Sequence, residues 1–264
     1  MLRRRFLYSM LSLNLLFLFG CRHQSTNQIR IGVTPGPAEE ILNAIRPELA
    51  QSGVELNIVS FTDYVQPNLA LAGHDLDANL YQNVPYLEQF DRDHGTSFAV
   101  VAKVYVPIMA IYPGRTKSLD ALRDGARVSL PNDPVNQSRA LHLLASSGLL
   151  TLKSGSEGQA SLADVIAGAH HLQLVELDAA QLPRSRQDVD LAVINANFAL
   201  DAGLNPMTDG VAREAVDSKY VNVLVSETAH ATDPNIQKLA AALRSQTARS
   251  FILAHYKGAI LPAT

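Results

Sequence analysis

The chain has 264 residues, a formal net charge of −3, and a hydrophobic share of 47%. That is enough apolar material for one large domain or two small ones, and the mildly acidic balance argues against a nucleic-acid partner. One cysteine, Cys21, is present, so no disulfide forms within the chain.

The first twenty residues read as an export signal. Three arginines, Arg3 to Arg5, precede the short apolar run LYSMLSLNLLFLFG, which is too short for a comfortable membrane span. Cys21 follows at once in LFGC and resembles the cysteine of a bacterial lipobox, with Leu18 at −3 and Gly20 at −1; Phe19 is bulkier than the usual residue at −2. Acylation would account for the single cysteine of an exported chain, and would leave no thiol for a metal or a nucleophile. The polar stretch RHQSTNQ then reads as a tether, giving a signal over 1–20 and a tether over 21–28.

From Ile29 strands and helices alternate. IRIGV is a strand, broken by Pro35, Gly36 and Pro37. A helix follows with Ile41, Leu42, Ile45 and Leu49 on one face; Pro47 is expected to kink or split it, and Gly53 ends it. VELNIVSF is a strand, Gln66 to Ala72 a short helix, LDANLY a strand, and Pro85 opens a helix through Tyr86, Leu87 and Phe90. FAVVAKVYVPIMAIYP is too long for one ordinary strand and reads as a strand that leaves one sheet and enters another structure. RVSLP is a strand, Pro134 to Ser147 a helix stopped by Gly148, and LQLVEL, LAVIN and YVNVLVS are further strands. The last helix starts at Asp233 and Pro234 and repeats Ile236, Leu239, Ala240 and Leu243 on one face. The alternation predicts parallel sheets covered by helices, in two α/β lobes.

Ligands in such sheets bind beyond the carboxyl ends of strands. Polar and aromatic residues gather there: Thr34, Thr62, Asp63, Tyr64, Gln82, Asn83, Asn132, Asn195, and Asn222 within YVNV. In LPNDPVNQSRALHLL, Asp133 and Pro134 suit a helix start, and Asn136 and Arg139 share a face. Two readings stand: a capped surface helix with a solvated arginine, or an anion seat in which Arg139 grips a carboxylate bidentately. No phosphate-binding glycine loop, Gly-x-Ser-x-Gly or metal-ligand spacing occurs, and the adjacent His170 and His171 read as an exposed turn. Amides and arginine bind; they are poor acids and bases at neutral pH.

Six blocks occur in order: SFTDYVQPNLAL, LDANLYQNVPYLEQF, LPNDPVNQSRALHLL, LDAAQLPRS, LAVINANFAL and YVNVLVS. Together, behind a lipobox, they resemble the MetQ/NlpA family of methionine-binding lipoproteins, the substrate-binding components of ABC importers. The resemblance implies an α/β, two-lobed periplasmic-binding-protein fold of type II character with a ligand cleft between the lobes. It implies that Arg139 holds the ligand carboxylate, with Asn136 at the helix front, that Asn195 and Asn222 lie near the amino group, and that Phe61, Tyr64 and Tyr86 form the walls. Asn83 stands where the family pattern has histidine, which leaves side-chain selectivity open. Phe61 also reads as ordinary core, and Tyr64 and Tyr86 also read as surface tyrosines. A thioether beside aromatic edges fits such walls.

The expected organisation is a first lobe over 29–106 with a return segment over 222–264, and a second lobe over 107–221. The expected ligand is L-methionine, with D-methionine or a methionine-containing dipeptide as variants. Expected partners are an ABC permease and its ATPase, with the membrane reached through the lipid on Cys21, in the cell envelope. No cofactor, no metal and no nucleic acid are expected. An enzyme on the same fold is one rival; a surface lipoprotein for adhesion or sensing is another.

Overall fold

The computed structural model describes residues 27–166, 168, 170–216 and 218–264. The expected signal, Cys21 and the tether up to residue 26 lie outside the described residues. In chain order the first elements are β1 (Gln28–Val33), α1 (Pro37–Gln51), β2 (Glu55–Ser60), α2 (Gln66–Ala72), β3 (Ala78–Asn83), α3 (Val84–His94) and β4 (Phe98–Pro107). β5 (Ala110–Pro113), β6 (Arg127–Pro131), α4 (Pro134–Ser146), β7 (Thr151–Leu152), β8 (Val165–Ile166), β9 (Gln173–Leu177), α5 (Leu182–Ser185), β10 (Leu191–Ile194), α6 (Ala196–Asp201) and β11 (Ala212–Arg213) come next. β12 (Asn222–Glu227), α7 (Pro234–Leu243), α8 (Gln246–Tyr256) and β13 (Ile260–Pro262) complete the chain.

The strands form two main sheets. One has the order β13-β4-β12-β3-β1-β2, the other β11-β5-β10-β6-β9, and β7 pairs with β8. The long apolar stretch divides at Ile108 and Met109, with β4 in the first sheet and β5 in the second. Neither sheet is wholly parallel, contrary to the expectation from alternation. β2, β1 and β3 run parallel, as do β10, β6 and β9, each pair fed through intervening structure. β12 enters between β3 and β4 and is antiparallel to both. It arrives from the opposite direction, after the chain has built the second sheet, so no βαβ crossover sets its sense.

Helix faces follow their apolar spacing. Ile41, Leu42 and Ile45 of α1 are fully buried against Ile29, Ile31 and Val33 of β1. Pro47 does not split α1, which runs unbroken to Gln51. Burying that face is worth roughly 1.5–3 kcal/mol per large side chain, enough to offset the ~3 kcal/mol of an internal proline. α4 is not a surface helix: Asn136, Arg139, Leu141 and Leu144 are all buried, the leucines in the core of the second sheet. α8 and β13 were not expected; Ser245 caps α8 by accepting from Ala248 N–H, and β13 pairs with β4.

Candidate functional site

Strand ends from both sheets converge on one cavity. β3 ends at Asn83, whose side chain accepts from Tyr86 N–H at 3.0 Å and starts α3. β6 leads to Asp133, which caps α4 by accepting from Asn136 N–H at 2.9 Å. The Asn136 side chain donates to the same carboxylate at 3.0 and 3.1 Å. Burial pushes the Asp133 pKa up, against the pull of these bonds.

β10 ends at Asn195, whose Nδ2 donates to Asn136 Oδ1 at 2.8 Å. Its Oδ1 is buried and has no hydrogen-bond partner. An unmet buried acceptor is costly, by about 1–3 kcal/mol, and points to a donor supplied from outside the chain. Both N–H groups of Asn222 are committed, to Tyr81 O at 2.9 Å and Tyr105 Oη at 3.0 Å. What Asn222 has left to offer is its carbonyl oxygen.

Arg139 is 4% exposed. Its Nε donates to Glu214 Oε2 at 2.8 Å, and its Nη2 donates to Pro107 O at 2.7 Å and to Glu214 Oε1. Tyr220 lies beneath the guanidinium, 4.3 Å from ring centre to Cζ. Burial works against the Arg139 charge, and Glu214 outweighs it, so the pKa is raised. The bidentate edge expected to face a ligand is therefore occupied by a carboxylate of the protein itself. Nη1 is the nitrogen left for a further acceptor.

Tyr64, Tyr81 and Tyr86 form an aromatic wall with ring centres 5.9–6.1 Å apart. Tyr81 Oη and Tyr86 Oη both donate to Tyr64 O, at 2.7 and 3.0 Å. Tyr64 Oη donates to Asn197 Oδ1 at 2.6 Å, and Asn197 Nδ2 donates to Thr34 Oγ1 at 3.2 Å. Burial holds all three phenols well above their ordinary pKa, so they remain neutral.

The cavity is small, with about 20 Å³ open to the centre of a water-sized sphere. Tyr64, Asn83, Tyr86, Asn136, Arg139, Asn195 and Asn222 all line it. Phe61 does not; it packs beside Gly32 and Leu76 in a core cluster. Tyr81, Gln82, Pro107, Ala196 and Asn197 complete the lining. Gln82 is held from behind by Asn68 and Asn79, a fully bonded buried amide cluster. Tyr81 and Asn197 escaped sequence reasoning, although Asn197 lies two residues beyond a flagged asparagine. Glu214 escaped it too, because AREAV carries no strand or helix signal. Among the described residues, no group of three or more His, Cys, Asp or Glu could hold a metal ion.

The profile of the NlpA lipoprotein family matches residues 29–264. The D-methionine-binding lipoprotein MetQ of Escherichia coli K12 is 39% identical over 236 residues, covering 87% of each chain. A nutrient-binding protein from Burkholderia cenocepacia, solved bound to methionine, superposes with a TM-score of 0.86 at 36% identity, covering 89% of this chain and all of that one. A periplasmic substrate-binding protein of an ABC transporter from Coxiella burnetii gives 0.84, again at 36% identity and 89% and 100% coverage. The two sheets flanking one cavity are thus the two-lobed substrate-binding fold, and the chain belongs to the NlpA lipoprotein family.

Proposed function

We propose that this protein is the substrate-binding lipoprotein of an ABC importer and that its cavity takes methionine as a zwitterion. The observation that carries the reading is the unpartnered Asn195 Oδ1, buried in the same cavity as Arg139. An α-amino acid brings the two complements: an ammonium for Asn195 Oδ1 and the Asn222 carbonyl, and a carboxylate for Arg139 Nη1. Its side chain then lies against Tyr64, Tyr81 and Tyr86, where a thioether is well placed. Asn136 keeps Asn195 oriented, and Asn83 sets the start of α3 at the wall.

In this reading, residues 29–106 and 222–264 form one lobe and 107–221 the other. Ligand closes the lobes, and the closed form docks on a permease driven by its ATPase. Cys21 carries the lipid that keeps the protein at a membrane of the cell envelope. No catalytic step and no cofactor enter. The test is a calorimetric titration of protein unfolded, dialysed and refolded to remove resident ligand. L-Methionine should bind at one site and more tightly than leucine, with D-methionine and methionyl dipeptides as comparators. No binding of any amino acid or dipeptide to folded protein would defeat the reading and favour adhesion or sensing.

A further inference from the structure

Among the described residues that line the cavity, Arg139 alone carries a formal charge; the other polar groups there are amides and neutral phenols. Glu214 is not part of the lining. It stands behind the guanidinium, taking bonds from Nε, from Nη2, and from Met109 N–H at 2.6 Å. Its side chain is 13% exposed, against 3% for that of Arg139. A carboxylate that competed with ligand would project into the cavity. This one pairs with Nε and Nη2 and balances the Arg139 charge, leaving Nη1 as the guanidinium nitrogen with no partner among the described residues.

We infer that Glu214 is a positioning and charge-balancing residue that makes the ligand seat net neutral and sets it to select zwitterionic amino acids over the corresponding carboxylate anions. The inference rests on the amino-acid reading above. A zwitterion carries its own counter-charge into the closed cleft. A lone carboxylate finds an arginine whose charge is already spent on Glu214, and it leaves Asn195 Oδ1 without a donor. Glu214 thereby acts on ligand choice through Arg139 without touching the ligand.

The test uses the full-length lipoprotein in detergent, titrated with L-methionine and with its des-amino analogue, γ-methylthiobutyrate. Wild type should prefer methionine by roughly a hundredfold or more, since the analogue lacks the donor the site requires. Glu214→Gln should reduce that preference by about tenfold or more, because an uncompensated arginine attracts the anion. Glu214→Asp keeps the charge and should hold the wild-type preference within about threefold, whatever the loss of affinity for both ligands. An unchanged preference in a folded Glu214→Gln protein overturns the inference. If that variant fails to fold, Glu214→Asp decides, since a collapsed preference there also overturns it. Wild type that binds methionine and the analogue equally overturns it without any variant. Wild type that binds neither refutes the amino-acid reading itself.

Discussion

Replacing Arg139 by alanine should damage the fold as well as the site. The Arg139 side chain is 3% exposed and that of Glu214 13%, so neither charge is well solvated. Truncating the arginine leaves Glu214 with the Met109 N–H as its remaining partner and strips a donor from Pro107 O. Breaking a buried pair from one side costs about 3–5 kcal/mol. For a protein of this size each kcal/mol lowers Tm by about 2–4 °C, so Arg139→Ala should melt about 6–20 °C below wild type. Arg139→Ala/Glu214→Ala should melt above the single variant, because no orphan carboxylate is left. The cycle should show a coupling of about 1–3 kcal/mol. Thermal unfolding followed by circular dichroism, without ligand, reads all four proteins. An unshifted Tm in Arg139→Ala, or strictly additive effects in the double variant, would mean that the pair is not buried as described.

Asn195→Leu removes the unmet acceptor together with one hydrogen bond, so methionine binding should weaken by about tenfold or more while Tm stays within about 4 °C; retained affinity by calorimetry would take Asn195 out of the site. Phe61→Leu should cost roughly 1 kcal/mol of stability and leave the dissociation constant within about threefold, a conservative change in a core position off the cavity; a larger loss of affinity would return Phe61 to the wall. Tyr64, Tyr81 and Tyr86 have pKa values raised by burial, so the unfolded chain ionises first and stability should fall as pH climbs above about 10. An ultraviolet phenolate titration should show these groups ionising only on unfolding; full ionisation of the folded protein near pH 10 would refute it. Cys21→Ser should lose the acyl mass and move to the aqueous phase of a detergent extraction, and a wild type already found there would refute lipidation.

What sequence reasoning reached depended on whether the signal was local. The α1 face, the Asp133–Pro134 start of α4 and the asparagines after β10 and at the head of β12 are each written in a few adjacent residues, and so was the family resemblance. Glu214 meets Arg139 from 75 positions away, and no spacing encodes that. The same holds for β12, whose place between β3 and β4 is set by the return of the chain and not by YVNV itself. Phe61 shows the opposite limit: an aromatic beside a strand end reads the same whether it faces a ligand or the core. Pro47 does not split α1, because the buried face of that helix outweighs a local breaker.

The chain passes between the two sheets at β4 and again just before β12, and these two strands are hydrogen-bonded neighbours in the first sheet, with Asn222 opposite Tyr105. Glu214, on the second passage, is bonded to Met109 on the first. The joint is therefore a paired ribbon and not two independent cords. A ribbon bends more readily across its face than within its plane, so the lobe closure proposed above would follow one principal swing. The proposed closed form would then present one relative orientation of its two halves, and the permease proposed above could recognise closure as a shape.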